Sequence, residues 1–345
     1  AGVSLLAYHL PLDAHPDLGN NRQLAKVLGF LDAQPVREDG LLWFGRLPVA
    51  MLGTEIAGLV AERLGRQPLH LVGREGPITR IAWCTGAAQR YLTDAHALGA
   101  ELFISGEVSE QTTHEARELG IDYLGAGHHA TERYGVQALG KGLGTLIHEL
   151  GKRPHIVTGH DFRSYSLSVK QALQVGLMEA GITVHDIGLA LSPMAYFAQF
   201  HLDVDCVAMV TASHNENGWT GVKMGADRPR TFGPDEIGRL KEIVLASAFD
   251  LSGGGSYAFV EDFPRRYMDD LVEGFSLERR IRVVCACGNG TAGAFAPTVL
   301  ERLGCEVIPL DCELDHTFPK YNPNPEDMTM LHAIRDAVLE HGADV

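Results

Sequence analysis

The chain has 345 residues, enough for two or three domains, and its 45% hydrophobic content suffices to bury a core in each. A formal net charge of −15, from 44 acidic and 29 basic residues, excludes nucleic acid or an anionic membrane surface as the expected main partner. We recognise no signal peptide and no apolar run long enough to span a bilayer, so a cytoplasmic location is expected.

Residues 1–134 alternate short apolar runs with helical patterns, which is typical of an α/β fold. The predicted strands are 4–8, 81–84, 102–105 and 123–126, and the predicted helices are 20–28, 55–64, 87–98 and 110–119. Polar clusters follow two of the strands, at 8–15 and 127–133. If a helix begins near His129, then His128 and Glu132 share one face at the spacing that grips a metal ion, and Asp13 would add an oxygen ligand. The plainer interpretation is that the histidines cap the helix and hydrogen-bond locally.

Three motifs in this region carry a family resemblance: Ile81 to Gly86, Ser105 to Thr112, and Gly127 to Gly135. Over about residues 1–140 the chain resembles the NGG-interacting factor three-like family, dinuclear-metal-centre proteins often labelled type 2 GTP cyclohydrolase I. The resemblance implies that Asp13, His128 and Glu132 are metal ligands, with His9 close by as an extra one. It implies a divalent transition metal such as Zn²⁺. The family has a further adjacent histidine pair upstream of this region, and the sequence has no counterpart of it, so at most a weak mononuclear site is expected.

From residue 141 onward the pattern predicts a β-α-β unit, with strands at 154–159 and 183–187 around a helix at 168–180. The apolar run 204–210 is expected in the same parallel sheet, and ligands of such sheets gather at the carboxyl ends of the strands. A helix at 234–248 precedes a glycine-rich break at 252–256, where we place a domain boundary. Beyond it we predict helices at 261–275 and 294–303, and strands at 281–286 and 305–310.

The run 204–210 ends in Thr211-Ala212-Ser213-His214-Asn215, followed by Gly218, Gly221 and Lys223. Glycines at such a point let backbone N–H groups approach an anion closely, so a phosphate could bind here. The plainer interpretation is a polar turn at the end of a strand.

The later segment 288–293 matches the G-x-G-x-x-G dinucleotide fingerprint literally, with Asp311 about 20 positions on. No crossover helix is predicted after Asp311, which argues against a nucleotide site. The six cysteines, at 84, 206, 285, 287, 305 and 312, are interpreted as reduced core residues. Cys285 and Cys287 could suggest a metal, but no second pair lies at zinc-site spacing, and strand alternation is the simpler explanation.

Four motifs lie in the order and spacing of a second family: 159–164, 211–223, 287–290 and 312–325. Over about residues 135–345 the chain resembles the α-D-phosphohexomutases, the phosphomannomutase and phosphoglucomutase family. The resemblance implies that Ser213 carries the catalytic phosphate and binds Mg²⁺ through it, and that a sugar phosphate is the small-molecule partner. It implies that His214 and Lys223 position the phosphoryl group and assist proton transfer, and that Thr211, Asn215 and Arg163 belong to the phosphate loop. The family's acidic magnesium loop is expected just past Val345.

We therefore predict an α/β protein of two unrelated parts, the second made of consecutive phosphohexomutase-type domains with mixed or parallel sheets. The predicted boundaries are 1–134 for the metal-centre-like part, 135–251 for a domain I with the phosphoserine loop, and 257–345 for a domain II. The predicted function is a phosphohexomutase that moves a phosphoryl group between positions of a hexose phosphate. One alternative is a metal-dependent hydrolase or metal-binding protein acting through the N-terminal part. Another is an inactive chimera, because residues 135–140 fit both families and no linker separates them. The sequence indicates neither the sugar nor the oligomeric state.

Overall fold

The structure is a computed structural model that describes residues 14–17, 19–322 and 324–345. The described residues divide into two compact units. The N-terminal unit is built mainly from residues before 140, and the C-terminal unit mainly from residue 140 onward. Among the described residues, no helix combines the length and the apolar character needed to cross a membrane.

The N-terminal unit is an α/β fold around one six-stranded sheet. Its strands are β1 Leu31–Pro35, β2 Trp43–Met51, β3 Leu69–Leu71, β4 Ile78–Cys84, β5 Leu102–Ser105 and β6 Asp122–Gly125. Its helices are α1 Asn20–Leu28, α2 Gly53–Leu64, α3 Leu92–Ala97, α4 Glu110–Leu119 and α5 His128–Thr131. The strand order is β1-β2-β4-β5-β6-β3, in which β4, β5 and β6 are parallel and the other pairs are antiparallel. The predicted strand at 4–8 lies outside the described residues.

Both faces of this sheet are buried, which explains why its central strands are almost wholly apolar. Along β4, Ile81 and Trp83 face one hydrophobic cluster while Ala82 and Cys84 face another. The Trp83 ring lies 5.2 Å from that of Phe30, measured between ring centroids. β5 and β6 are buried throughout and pair in parallel, so their carboxyl ends lie at the same edge of the sheet.

The C-terminal unit contains a five-stranded mixed sheet in the order β10-β9-β7-β8-β11. Its strands are β7 His155–His160, β8 Thr183–Leu189, β9 Cys206–Val210, β10 Val222–Gly225 and β11 Tyr257–Phe259. Its helices are α6 Tyr134–Glu149, α7 Ser166–Glu179, α8 Ser192–His201 and α9 Pro234–Ala246, of which α6 begins in the segment preceding residue 140. Strands β7, β8, β9 and β11 are parallel, whereas β10 runs antiparallel to β9. The run 204–210 thus shares a sheet with the β-α-β unit.

A smaller two-stranded parallel sheet follows in the same unit, formed by β12 Arg282–Ala286 and β13 Glu306–Leu310. Its helices are α10 Phe263–Val272, α11 Ala296–Arg302 and α12 Met328–His341. The Val284 N–H donates to the carbonyl of Val345, at 2.8 Å, so the last residue lies beside β12. The glycine-rich segment 252–256 leads into β11, which is an edge strand of the five-stranded sheet.

Candidate functional site

The candidate phosphate loop, residues 211–221, begins where β9 ends. Strand register pairs His160 with Val210, so the carboxyl ends of β7 and β9 lie side by side and Asp161 comes next to Thr211. The Thr211 N–H donates to the carbonyl of Gly221 at 3.0 Å, which closes the base of the loop before β10 begins. The sheet therefore holds both ends of the loop in place.

The Arg163 side chain holds this loop from behind. Its side chain is only 3% exposed, and its guanidinium donates to the carbonyls of Asn215, Glu216 and Ser213 at 2.7, 3.1 and 3.4 Å. The guanidinium carbon lies 5.3 Å from the centroid of the Phe318 ring. The structure places Arg163 beside the loop, where its donors serve the loop backbone.

The Asp161 carboxylate fixes the start of the loop. One oxygen accepts the Ala212 N–H at 3.1 Å, and the other accepts the Ser166 hydroxyl at 2.5 Å. Ser213, which follows Ala212, has a φ of 56°, in the left-handed region that non-glycine residues seldom adopt. Its N–H donates to the Thr211 hydroxyl oxygen at 2.9 Å. Local hydrogen bonds thus hold an exposed serine in an unusual backbone conformation, a feature typical of functional sites.

A cavity of about 540 Å³ opens in front of the loop. Its walls include Ser213, His214, Thr211, Lys223 and Arg163, so the structure brings together five of the residues predicted from the sequence. The sixth, Asn215, is not a lining residue. Its side-chain amide donates to the carbonyl of Ala212 at 2.7 Å and so tightens the turn.

Two positively charged features lie at the cavity, the Lys223 ammonium and the N-terminus of helix α8. Lys223 lies on β10, and its ammonium donates to the Ser192 hydroxyl at 3.2 Å. Ser192 is the first residue of α8, and the cavity is also lined by the residues on either side of it, Leu191 and Pro193. A helix N-terminus beside a lysine is a favourable place for a phosphate. The Ser192-Pro193 pair predicts a helix start at this point of the sequence, but Ser192 was not among the predicted site residues.

The Gly218 N–H is engaged by side chains of the same unit. Its N–H donates to the Tyr165 hydroxyl oxygen at 2.9 Å and is not presented to an anion. Tyr165 in turn donates to the carbonyl of Trp219 at 2.8 Å. Gly218 has a φ of 102°, so a glycine is needed there for the backbone turn itself.

The opposite wall of the cavity comes from the loop 288–293 and its neighbours. The Thr291 hydroxyl accepts the Phe162 N–H at 2.9 Å, and the Asn322 amide donates to the carbonyl of His214 at 2.8 Å. A Cβ on Gly293 would lie 2.0 Å from the carbonyl oxygen of Cys312, so this glycine is required for packing. Gly293 of the fingerprint-like segment therefore allows close contact within the unit.

The described lining residues do not by themselves suit Mg²⁺, which prefers several oxygen ligands including carboxylates. Asp161 is the acidic residue among them, and both of its oxygens already accept hydrogen bonds. Ser213 offers its hydroxyl oxygen alone. Mg²⁺ binding at this cavity would therefore need oxygen ligands beyond these residues.

The candidate metal centre of the N-terminal unit lies at the carboxyl ends of β5 and β6. The imidazole of His128 lies between two carboxylates: Nδ1 is 2.5 Å from Glu107 Oε1, and Nε2 is 2.9 Å from Glu132 Oε2. Burial by itself would lower the pKa of His128, but the two carboxylates outweigh it and hold that pKa above its usual value. Asp13 and His9 lie outside the described residues.

His128 and Glu132 could bind a divalent metal together at the Nε2 side of the imidazole, but the Nδ1 side is taken by Glu107. Glu132 faces Nε2, whereas Glu107 is hydrogen-bonded to Nδ1 and so would orient the ring, as outer carboxylates do for metal-binding histidines. Gly86 makes room for Glu132: a Cβ there would lie 2.0 Å from Glu132 Oε1. The sequence analysis placed Glu107 in a family motif but gave it no role.

Comparisons with known proteins agree with this division of the chain. The model of the Duf34/NIF3 (NGG1p interacting factor 3) family matches residues 1–158. Two models of phosphoglucomutase/phosphomannomutase, for alpha/beta/alpha domains I and II, match residues 125–250 and 265–345. Residues 125–158 are therefore matched by both families.

Individual relatives show the same two likenesses. The GTP cyclohydrolase 1 type 2 homolog of Allochromatium vinosum is 61% identical over 145 residues, which is 41% of this chain and 57% of that protein. The homolog from Pseudomonas aeruginosa is 54% identical over 145 residues, with the same coverage of 41% and 57%. The crystal structure of a phosphoglucomutase/phosphomannomutase family protein from Burkholderia thailandensis has a TM-score of 0.57 at 27% identity, covering 61% of this chain and 47% of that one.

The chain thus spans about half the length of the proteins it matches, 57% of the first and 47% of the crystal structure. Both resemblances stated from the sequence motifs are confirmed, as is the α/β fold class. The N-terminal part of the chain thus matches the Duf34/NIF3 family model, and its C-terminal part matches the models of phosphoglucomutase/phosphomannomutase domains I and II.

Proposed function

We propose that the C-terminal unit is the phosphoryl-carrying part of a phosphohexomutase and that Ser213 is the phosphate carrier. The observation that supports this most directly is the placement of Ser213. An exposed serine in a left-handed turn shares one cavity with Lys223 and the N-terminus of α8. A dianionic phosphoserine would gain from both positive sources.

The proposed reaction transfers a phosphoryl group without any change of oxidation state. The bond between phosphorus and Ser213 Oγ breaks while a hydroxyl oxygen of a hexose monophosphate forms the new bond to phosphorus. The proton of that hydroxyl is passed to the protein, and Ser213 Oγ receives a proton on leaving. Return of a phosphoryl group from the other position of the resulting hexose bisphosphate to Ser213 completes the isomerisation.

The remaining residues act by position and charge. Lys223 lies close enough to the loop to offset the charge of the transferred group, and exposed His214, next to Ser213, can hold the moving proton. Arg163 and Asp161 are positioning residues, because their polar atoms contact the loop backbone. The partner that this chemistry requires is a small sugar phosphate.

The test is phosphate incorporation from a hexose 1,6-bisphosphate labelled in its phosphates, followed by peptide mapping. We expect the native chain to incorporate label on the peptide containing Ser213, and Ser213→Ala to incorporate none. Ser276→Ala, at an exposed serine of the same unit, is the matched control and should behave as native. Equal labelling of Ser213→Ala would contradict the assignment. A folded native chain that takes up no label would support the inactive-chimera alternative.

A second candidate function, metal binding by the N-terminal unit, is favoured by the contact between His128 and Glu132 at 2.9 Å. Equilibrium dialysis of the chain with alkylated thiols against Zn²⁺ should show binding that His128→Ala weakens by at least about tenfold, since the substitution removes a direct ligand. His114→Ala, at an exposed histidine of the same unit, is the control. Unchanged Zn²⁺ binding in His128→Ala would count against this site and against a metal-dependent hydrolase that uses it.

A further inference from the structure

Three cysteines of the C-terminal unit meet beside the two-stranded sheet. Cys285 lies on β12 and Cys287 follows the end of that strand, so side chains two positions apart emerge on one face. Cys312 comes two residues after β13, the parallel partner of β12. The sequence analysis explained the first two by strand alternation. Cys312 was interpreted only as one of six reduced core cysteines, because the pairing of β12 with β13 is what brings it to the other two.

The sulfur atoms are spaced as in a metal site. Cys285 Sγ lies 3.7 Å from Cys287 Sγ, and Cys312 Sγ lies 3.5 Å from Cys287 Sγ. All three sulfurs lie within 4.8 Å of one another. Thiolates bound tetrahedrally to Zn²⁺ at about 2.3 Å are separated from each other by about 3.8 Å. The three thiols therefore need little movement to share one ion.

The surroundings favour a soft metal over a hard one. Cys285 and Cys287 are 7% and 6% exposed, and Cys312 is half-buried. Two carboxylates adjoin Cys312 in sequence. Asp311 is occupied by the Lys320 ammonium and the Tyr321 hydroxyl, each at 2.5 Å, and Glu313 is exposed and is not part of the cluster. Among the described residues, the one group of three or more side chains that could hold a metal ion consists of these cysteines alone. All-sulfur ligation selects thiophilic ions.

We propose that Cys285, Cys287 and Cys312 form a three-thiolate site for Zn²⁺. Binding releases the thiol protons to solvent, and the ion joins the three sulfurs by metal–sulfur bonds. Cys287 also lines the 540 Å³ cavity, so the proposed site adjoins that cavity. This site is separate from the His128 centre and does not depend on Ser213 being phosphorylated.

The experiment uses the full chain carrying His128→Ala, so that the N-terminal candidate centre does not contribute metal. The reduced protein is loaded with Cd²⁺ as a spectroscopic substitute for Zn²⁺, and the ultraviolet thiolate-to-metal charge-transfer band is measured. We expect about one ion per chain in elemental analysis and the band intensity of three thiolates. Zn²⁺ should displace Cd²⁺ and abolish the band.

Cys285→Ser, Cys287→Ser and Cys312→Ser should each weaken binding by at least about tenfold. Cys305→Ser is the matched control, because Cys305 lies in the same part of the unit but outside the cluster. Thermal unfolding of each variant without metal checks that the fold is retained. If folded single variants bind Cd²⁺ as tightly as the Cys305→Ser control, or if the parent gives no thiolate band, the proposal is wrong. If a single variant does not fold, the double variant Cys287→Ser/Cys312→Ser is measured in its place, by the intensity of the same charge-transfer band.

Discussion

Replacement of Arg163 by methionine tests how the phosphate loop is held. Methionine keeps much of the buried side-chain volume but removes the donors that serve the carbonyls of Ser213, Asn215 and Glu216. It also leaves Asp161, whose Oδ2 lies 3.5 Å from Arg163 Nε, without its charged partner. In the variant, the three loop carbonyls lose the guanidinium donor, and the buried Asp161 carboxylate loses its positive partner.

The expected loss of stability is about 3–5 kcal/mol. Each hydrogen bond to a charged group contributes about 1.5–3 kcal/mol, but the three bonds share one guanidinium and do not add. Removal of one partner from a buried ion pair costs about 3–5 kcal/mol, which we take as the estimate for the whole change. For a unit of this size class about 2–4 °C is lost per kcal/mol, so the midpoint of thermal unfolding should fall by about 6–20 °C.

The assay combines calorimetry with the phosphate-labelling experiment at Ser213. Arg163→Met should lower both the unfolding midpoint and the label incorporated, because a displaced loop no longer presents the serine. Arg163→Lys should fall between native and Arg163→Met, since lysine keeps the charge but not the planar array of donors. Arg266→Met, at an exposed arginine of the same unit, is the control. Loss of labelling with an unchanged unfolding midpoint would refute the reasoning and make Arg163 a phosphate ligand.

Three further predictions concern other parts of the chain. Gly106→Ala should destabilise the N-terminal unit by about 1–3 kcal/mol in thermal unfolding, because its Cβ would lie 2.7 Å from His128 Cα. The pKa of His128, followed by NMR, should lie above that of a free histidine, and Glu107→Gln should lower it. Lys170→Met should cost about 3–5 kcal/mol in chemical denaturation, because its ammonium pairs with buried Asp186 at 2.6 Å.

Each of these has a result that would count against it. A Gly106→Ala variant as stable as native would show that the neighbouring backbone yields easily. A His128 pKa at or below the usual range would show that burial outweighs the carboxylates. Because folding raises the pKa of His128, its protonation stabilises the folded state. This stabilisation is fully present below the unfolded-state pKa of His128 and is lost as the pH rises through its folded-state pKa. If adding Asp186→Asn to Lys170→Met recovers no stability, the buried pair is not the cause of the loss.

The local pattern of the sequence was sufficient for the strongly periodic elements and for the family motifs. The helix Asn20–Leu28 and the strand Leu102–Ser105 begin and end where the pattern predicts. Strands β1, β2, β3, β10 and β11 were not predicted. β1 contains Asp32 and ends in Pro35, so it lacks the apolar pattern of a strand. β3 and β11 have three residues each, which is too short for an apolar periodicity to be recognised. Pairing with a neighbouring strand is what makes them strands.

The residue types of the candidate sites were also readable from the sequence, because Ser213, His214 and Lys223 belong to one contiguous motif. What those residues contact was decided by the fold. Arg163 and Asn215 are 52 positions apart in sequence, yet the register of β7 with β9 puts the guanidinium 2.7 Å from the Asn215 carbonyl. Cys312 likewise meets Cys287 only through the pairing of β12 with β13. Periodicity is a property of neighbouring residues and is present in the sequence, whereas distances between remote residues depend on strand register and packing, which only the tertiary structure determines.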